Sequence, residues 1–272
     1  MISDGKDQMR WRYAGFVDLA MRSEVGGRYT SPAQKARVIT EAWVEENMYC
    51  PACSSDSLEH TRRGLELVDF RCGECDEGFQ AKSQKHPFGR KVLDSAWRPM
   101  EAAVSAGEAP GFFFLQYRAD AWRVSRLFVV PGHFVTPMVV ERRVPLRETA
   151  RRAGWVGCNI LLERIVDAAK IPVVEGDHVH PAREVRERWR QFAFVREAPP
   201  AGRGWIGDVL SCVQRLGKPE FTLTDVYGFE GELANRHPKN KNVKPKIRQQ
   251  LQVLRKHHVV DFLGRGRYRL RR

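Results

Sequence analysis

Seven side chains within residues 49–84, YCPACSSDSLEHTRRGLELVDFRCGECDEGFQAKSQ, have types and spacings suited to chemistry. Cys50 and Cys53, then Cys72 and Cys75, are C-x2-C pairs separated by eighteen residues, a spacing that reads as a zinc site. Each pair grips one ion from a tight turn. Four thiolates complete a tetrahedral shell and leave no position for water, so Zn²⁺ here is expected to be structural. Hydrolytic chemistry must then come from other groups, and Asp69, Gln80 and Lys82 follow a D-x10-Q-x-K pattern. Residues 65–70 and 78–84 read as strands joined by a turn over 71–77. Pairing them brings an acid, an oxygen ligand and a lysine together, with Gln80, Lys82 and Gln84 on one face and Phe79, Ala81 and Ser83 on the other.

The elements around this hairpin read as an α/β body. Ser31 and Pro32 make a helix start, followed by AQKARVITEAWVEENMY with Ala36, Ile39, Trp43 and Val44 at helical spacing. Glu41 and Glu45 lie one turn apart on that helix and either face the hairpin or form a solvated pair. A helix is expected over 94–105, strands over 112–117 and 122–130, a strand over 171–175 and a helix over 181–190. Residues 131–161 read as an extended loop with a short helix, and another helix is expected over 11–22.

Composition favours a soluble, globular chain: 42% of residues are hydrophobic and 29% charged, and no apolar run is long enough for a membrane span. The first residues lack a signal-peptide core, so a cytoplasmic protein, monomeric in solution, is expected. Cys158 and Cys212 are isolated and read as reduced and packed, against a secreted disulfide framework. The net charge of +13 is unevenly spread, because residues 203–272 hold 16 Lys and Arg against 6 Asp and Glu, leaving 30 against 27 elsewhere. Such a basic tail is the footprint of a nucleic-acid-binding module.

A Pro/Gly linker, EAPPAGRG at 197–204, marks the boundary of that module. Helices over 205–216, 224–235 and 243–257, closed by two short strands around Gly264, Arg265 and Gly266, form a winged helix-turn-helix. Its third helix is expected in the major groove of duplex DNA. Ile247, Leu251 and Leu254 must point to the core, leaving Lys244, Lys246, Arg248, Gln249 and Gln250 as candidate DNA contacts, with Arg265 and Arg267 on the wing.

The segments QKARVITEAWV, YCPAC, VDFRCGEC, FQAKS, GFFFLQY, FVTPM, TARRAGWVGCNI and KIRQQLQVLR, in this order, resemble the DpnI family of methyl-directed restriction endonucleases and its Dam-replacing relatives. The likeness runs from about residue 31 to the end. It implies an extension at 1–30, a PD-(D/E)xK nuclease domain with a four-cysteine zinc site at 31–198, and a winged helix at 203–272. It also implies Mg²⁺-dependent cleavage of double-stranded DNA at GATC sites carrying N6-methyladenine. Asp69 matches the family's metal-binding aspartate and Lys82 its catalytic lysine. Asp69, the Gln80 side-chain oxygen and the Ala81 carbonyl are then expected to hold Mg²⁺, with Glu41 reaching it through a water. Trp155 falls in the RRAGW segment implicated in methyladenine sensing, and Arg151 and Arg152 are available for phosphates or guanine edges. The family pattern has Glu where this chain has Gln80, which leaves open an N6-methyladenine reader that no longer cleaves.

Overall fold

The computed structural model describes residues 17–61 and 67–271. The elements begin with α1 (Pro32–Asn47), β1 (Glu59–His60), β2 (Phe70–Arg71), β3 (Gly78–Gln84), β4 (Val92–Ala96) and α2 (Trp97–Ala106). Next come β5 (Gly111–Arg118), β6 (Arg123–Val130), β7 (Val140–Arg142), β8 (Gly157–Ile160), β9 (Ile171–Glu175), β10 (His178–Val179) and α3 (Ala182–Gln191). The C-terminal part holds α4 (Pro200–Arg215), β11 (Glu220–Thr222), α5 (Leu223–Tyr227), α6 (Glu230–Arg236), α7 (Val243–Lys256), β12 (Val260–Gly264) and β13 (Arg267–Leu270). Two compact units interleave in sequence. One is Met1–Pro87, Phe112–Val129 and Pro172–Glu187; the other is Phe88–Gly111, Val130–Ile171 and Arg188–Arg272.

The first unit is built on a seven-stranded sheet of order β1-β2-β3-β5-β6-β9-β10, with β1, β2 and β3 antiparallel to one another in turn. The run Phe112, Phe113, Phe114 and Leu115 on β5 is buried on both faces, which is why its sequence lacks a polar alternation. Phe113 stacks on Phe79 at 5.0 Å and Phe114 on Phe128 at 4.9 Å, tying β3, β5 and β6 into one core. Helix α1 buries Ile39, Trp43 and Val44, as its spacing predicts, and Thr40 Oγ1 lies 2.9 Å from Ser83 Oγ on β3. Ser31 supplies no side-chain cap; its carbonyl accepts the first helical bond from Lys35 N–H at 2.9 Å.

Residues 17–22 are extended rather than helical. Val17, Leu19 and Met21 are buried while Asp18, Ala20 and Arg22 are exposed, a period of two. Backbone bonds from Met21 to Trp122 and from Val124 to Leu19 lay this segment beside β6. The rest of the helix expected at 11–22, and Leu65 and Glu66 of the expected hairpin strand, lie outside the described residues.

In the second unit β4, β8 and β7 form an antiparallel sheet in that order. The helix expected at 94–105 begins later, at Trp97, because Val92 and Asp94 are buried around an exposed Leu93 and the alternation makes a strand of 92–96. His133 is buried in this unit, and burial, with Arg196 and Arg203 nearby, holds its imidazole down at about 3. Helix α4 starts at Pro200, inside the stretch expected as linker, with proline in its first turn. Helices α4 to α7 pack over a three-stranded sheet of order β11-β13-β12, and β11 is a strand that the sequence pattern does not announce. The helix expected at 224–235 is two, α5 and α6, interrupted at Gly228 and Phe229. A capping box between Thr222 and Asp225 starts α5.

Candidate functional site

The four knuckle cysteines meet as their spacing predicts. Their Sγ atoms all lie within 4.8 Å of one another, and Cys50 and Cys72 are buried, so the cluster can hold a zinc ion. The second knuckle is the β2–β3 turn itself. Cys72 N–H donates to the Glu77 carbonyl and Asp76 N–H to the Cys72 carbonyl, both at 3.0 Å. Asp76 holds a positive φ of 61° there, and the Arg71 guanidinium pairs with its carboxylate at 2.8 Å. The first knuckle is held from α3: Arg186 donates to the carbonyls of Cys50 (3.1 Å) and Ser55 (2.7 Å) and to Asp56 (2.9 Å). The same guanidinium lies 5.0 Å over the Tyr49 ring. Cys158 and Cys212 are buried and in no disulfide.

Between the knuckles and β3, Asp69 is fixed on several sides. Its N–H donates to the Phe79 carbonyl at 2.8 Å, its carbonyl accepts from Thr61 N–H, and its carboxylate accepts from Ala81 N–H at 2.9 Å. Burial pushes the Asp69 carboxyl above the ordinary aspartate range. The Ala81 amide and the Lys82 ammonium pull against this, Glu41 adds to it, Arg37 opposes it, and burial prevails. The Asp69 carboxylate thus feels the charges of Lys82, Glu41 and Arg37. Gln80 is 5% exposed, and Lys82 is partly buried two residues on.

Of the two helix carboxylates, Glu41 is the one turned to the hairpin; Glu45 is exposed. The Glu41 oxygens are both engaged, one by Arg37 Nε at 2.6 Å and the other facing His60 Nε2 at 3.5 Å. Neither Arg37 nor His60 stands out in the sequence as a site residue. Arg37 has a signal, its i,i+4 spacing to Glu41, whereas His60 reaches Glu41 only through the tertiary fold.

Trp155 belongs to a long hairpin that continues β7 and β8, not to a loop with a helix. Arg143 N–H donates to the Gly157 carbonyl and Leu146 N–H to the Trp155 carbonyl, both at 2.9 Å, and turns fill 147–154. The Trp155 ring lies against Gly157, where a Cβ would stand 2.7 Å from the ring, so only glycine fits beneath it. The Arg152 guanidinium lies 4.8 Å over the ring. Arg151 is exposed, and among the described residues neither it nor Arg142, Arg143 or Arg147 has an acidic partner.

In the C-terminal helices Ile247, Leu251 and Leu254 are buried as expected, but Gln250 is buried with them, 4% exposed. It stands one turn from Ile247 and Leu254 and beside Leu251, so it faces inward and is withdrawn from the DNA-facing set. Lys244, Arg248 and Gln249 are exposed. Arg248 Nε donates to the Tyr227 hydroxyl, Lys244 pairs with Glu230 at 3.2 Å, and Lys246 donates to Gln249 at 2.7 Å. Arg265 stands at the wing tip with φ 48°, between Gly264 and Gly266, which also take positive φ. Arg267 is bound to Glu220 at 3.0 Å. Carboxylates also take Arg215, Arg236, Arg269 and Arg271. Among the described residues of 204–271, Lys239, Lys241, Lys246, Arg248, Arg255, Lys256 and Arg265 have no carboxylate partner, so the cations left to a partner lie around both ends of α7 and at the wing tip.

No helix among the described residues is long and apolar enough to cross a membrane. Residues 17–198 match the family model described as DpnI, the Dam-replacing family. Residues 201–270 match the one described as the Dam-replacing HTH domain.

Proposed function

We propose, on the premise that this chain belongs to the DpnI (Dam-replacing) family, that it is a methyl-directed restriction endonuclease with a PD-(D/E)xK catalytic fold. Its substrate is double-stranded DNA with N6-methyladenine in GATC, and its reaction is phosphodiester hydrolysis. The observation that carries this reading is that Lys82 and Glu41 both act on the buried Asp69 carboxylate, which the Ala81 N–H of β3 holds at 2.9 Å.

Burial and a neighbouring carboxylate disfavour the charged form of Asp69, the condition that a bound cation relieves, so the residues present suit Mg²⁺. Asp69, the Gln80 side-chain oxygen and the Ala81 carbonyl would hold the ion, which when bound polarises the phosphoryl group. Lys82 orients the attacking water from Nζ and offsets negative charge at the phosphate. Glu41, held by Arg37 and His60, reaches the centre through a water. Cys50, Cys53, Cys72 and Cys75 would hold Zn²⁺ with no position left for water, a structural role at the turn joining Asp69 to Gln80 and Lys82.

Recognition is assigned to the second unit. Lys246, Arg248, Gln249 and Arg265 serve phosphates and base edges from α7 and the wing, Lys244 and Arg267 being taken by Glu230 and Glu220, and Arg151 and Arg152 do so from the hairpin. Trp155 gives the N6-methyl an apolar face, which Arg152 uncovers by swinging away at a cost of about 0.5–1 kcal/mol.

A second reading, a methyladenine reader without cleavage, is favoured by Gln80, whose neutral amide brings one negative charge fewer to the metal than Glu. Methylated and unmethylated GATC duplexes incubated with Mg²⁺ separate the two. Fragments from the methylated duplex alone support the nuclease, and a shifted but intact duplex supports the reader. Fragments only in Gln80→Glu would assign the loss to that amide.

A further inference from the structure

Tyr227, on the short helix before α6, presents one aromatic ring that two exposed cations of α7 share. Lys244 and Arg248 follow each other by one helical turn. Lys244 Nζ lies 5.6 Å and Arg248 Cζ 5.7 Å from the Tyr227 ring centroid. Arg248 also donates its Nε–H to the Tyr227 hydroxyl. Lys244 is taken further by Glu230, at 3.2 Å. The two cations are therefore in different states: Lys244 is neutralised by a carboxylate, whereas Arg248 is held by a neutral hydroxyl and keeps its full charge.

How Arg248 is held decides what it can read. A guanidinium has five N–H donors in a fixed plane. With Nε bound to the hydroxyl, the outer pair, Nη1 and Nη2, has no hydrogen-bond partner among the described residues and is left as a fork of two parallel donors. That fork matches the O6 and N7 acceptors on the major-groove edge of guanine. A long exposed arginine ordinarily loses much rotamer freedom on binding, and a side chain already fixed at Nε loses less.

We propose that Arg248 is a guanine-reading residue of this domain and that Tyr227 is the positioning residue that aims it. This rests on the reading that α7 faces duplex DNA. Tyr227 touches no DNA in this assignment; it acts through the direction it gives Arg248. The hydroxyl carries the effect rather than the ring, so Tyr227→Phe is the informative change: it leaves the ring in place and removes a single oxygen.

The test is equilibrium binding of the full-length protein, without magnesium, to the methylated GATC duplex and to the same duplex with 7-deazaguanine replacing guanine. The deaza base has a C–H in place of the N7 acceptor. Wild type is expected to bind the deaza duplex about tenfold more weakly. In Arg248→Ala most of that penalty is lost, and what is left belongs to Arg151 and Arg152. In Tyr227→Phe the penalty shrinks to about threefold while the thermal midpoint and the salt dependence stay as in wild type, a change that a role in folding alone would not produce. Equal penalties in wild type and Tyr227→Phe overturn the positioning role. A penalty as large in Arg248→Ala as in wild type overturns base reading. So does a fall of about one unit in that variant's salt slope with no deaza penalty in wild type, which makes Arg248 a phosphate ligand. Absence of duplex binding by the wild type defeats the DNA-facing reading itself, and this inference with it.

Discussion

The two units handle polar groups in opposite ways. Around β3 the candidate catalytic groups are drawn inward. Gln80 is 5% exposed, Asp69 is tied to Phe79 and Ala81, and its carboxyl is pushed up by burial. On α7 and the wing the candidate DNA-binding side chains stand in solvent, while nearby carboxylates take up cations such as Arg267 and Arg269. Bond cleavage needs groups fixed and desolvated before substrate arrives. Duplex binding needs charge that water can leave and phosphate can replace. In this chain buried order surrounds the candidate catalytic groups, and the C-terminal helices and wing present cations that no carboxylate among the described residues neutralises.

The largest effect that sharpens this contrast is metal removal. Chelation, or Cys72→Ser, is expected to abolish cleavage and to expose the amides of residues 69–82 to hydrogen exchange while those of α7 keep their protection. Equal loss of protection in both places would break the distinction. Next, Lys82→Ala should lower the cleavage rate by about 10²–10⁴-fold with duplex affinity unchanged, measured by single-turnover kinetics beside binding titration. Unchanged cleavage would remove the hairpin from the mechanism. Smaller still, Lys239→Glu combined with Lys241→Glu should weaken binding to methylated and unmethylated duplexes alike. Its slope of log affinity against log salt should fall by about 0.9 for each phosphate that is no longer neutralised, with the fragmentation pattern preserved.

The smallest effect concerns a buried group of the second unit. His133 is neutral when folded, at about 3, whereas an unfolded histidine titrates near 6.5. Below that value the unfolded chain binds a proton that the folded chain refuses. Stability is thus fully present above about pH 6.5 and is lost as pH falls toward 3, with a slope of about 1.4 kcal/mol per pH unit. Denaturant unfolding at pH 7 and 5.5 should show this loss in wild type and not in His133→Phe; an identical loss in both would show the imidazole to be uninvolved.

Where the fold is legible in the sequence, local rules are the reason. Four cysteines at C-x2-C spacing, the apolar period of Ile247, Leu251 and Leu254, and Pro32 at a helix start each encode their structure within a few residues. The strand at 171–175 is equally plain, an apolar run of strand length. Less legible are short alternations hidden by context. Val17, Leu19 and Met21 alternate for too few residues to outweigh a helical look, and Leu93 between buried neighbours precedes the helix so closely that the strand merges with it. Gln250 is polar and yet buried, so polarity alone puts it on the wrong side of α7. Pairings such as His60 with Glu41 and Arg248 with Tyr227 leave no trace in spacing, since they join separate elements, and the interleaving of the two units is non-local for the same reason.

The clamp that Arg186 places on the first knuckle has a consequence for the order of assembly. Cys50 and Arg186 are separated by 136 positions, so during synthesis all four cysteines have left the ribosome well before their latch exists. The thiolates can gather a metal early as a local event, yet the Cys50 and Ser55 carbonyls are secured only once α3 docks. A nascent chain arrested between residues 76 and 181 thus carries a complete set of metal ligands in an unlatched loop. Closing that latch waits until α3 has been made, so the first knuckle is secured only after a contact of long sequence separation can form.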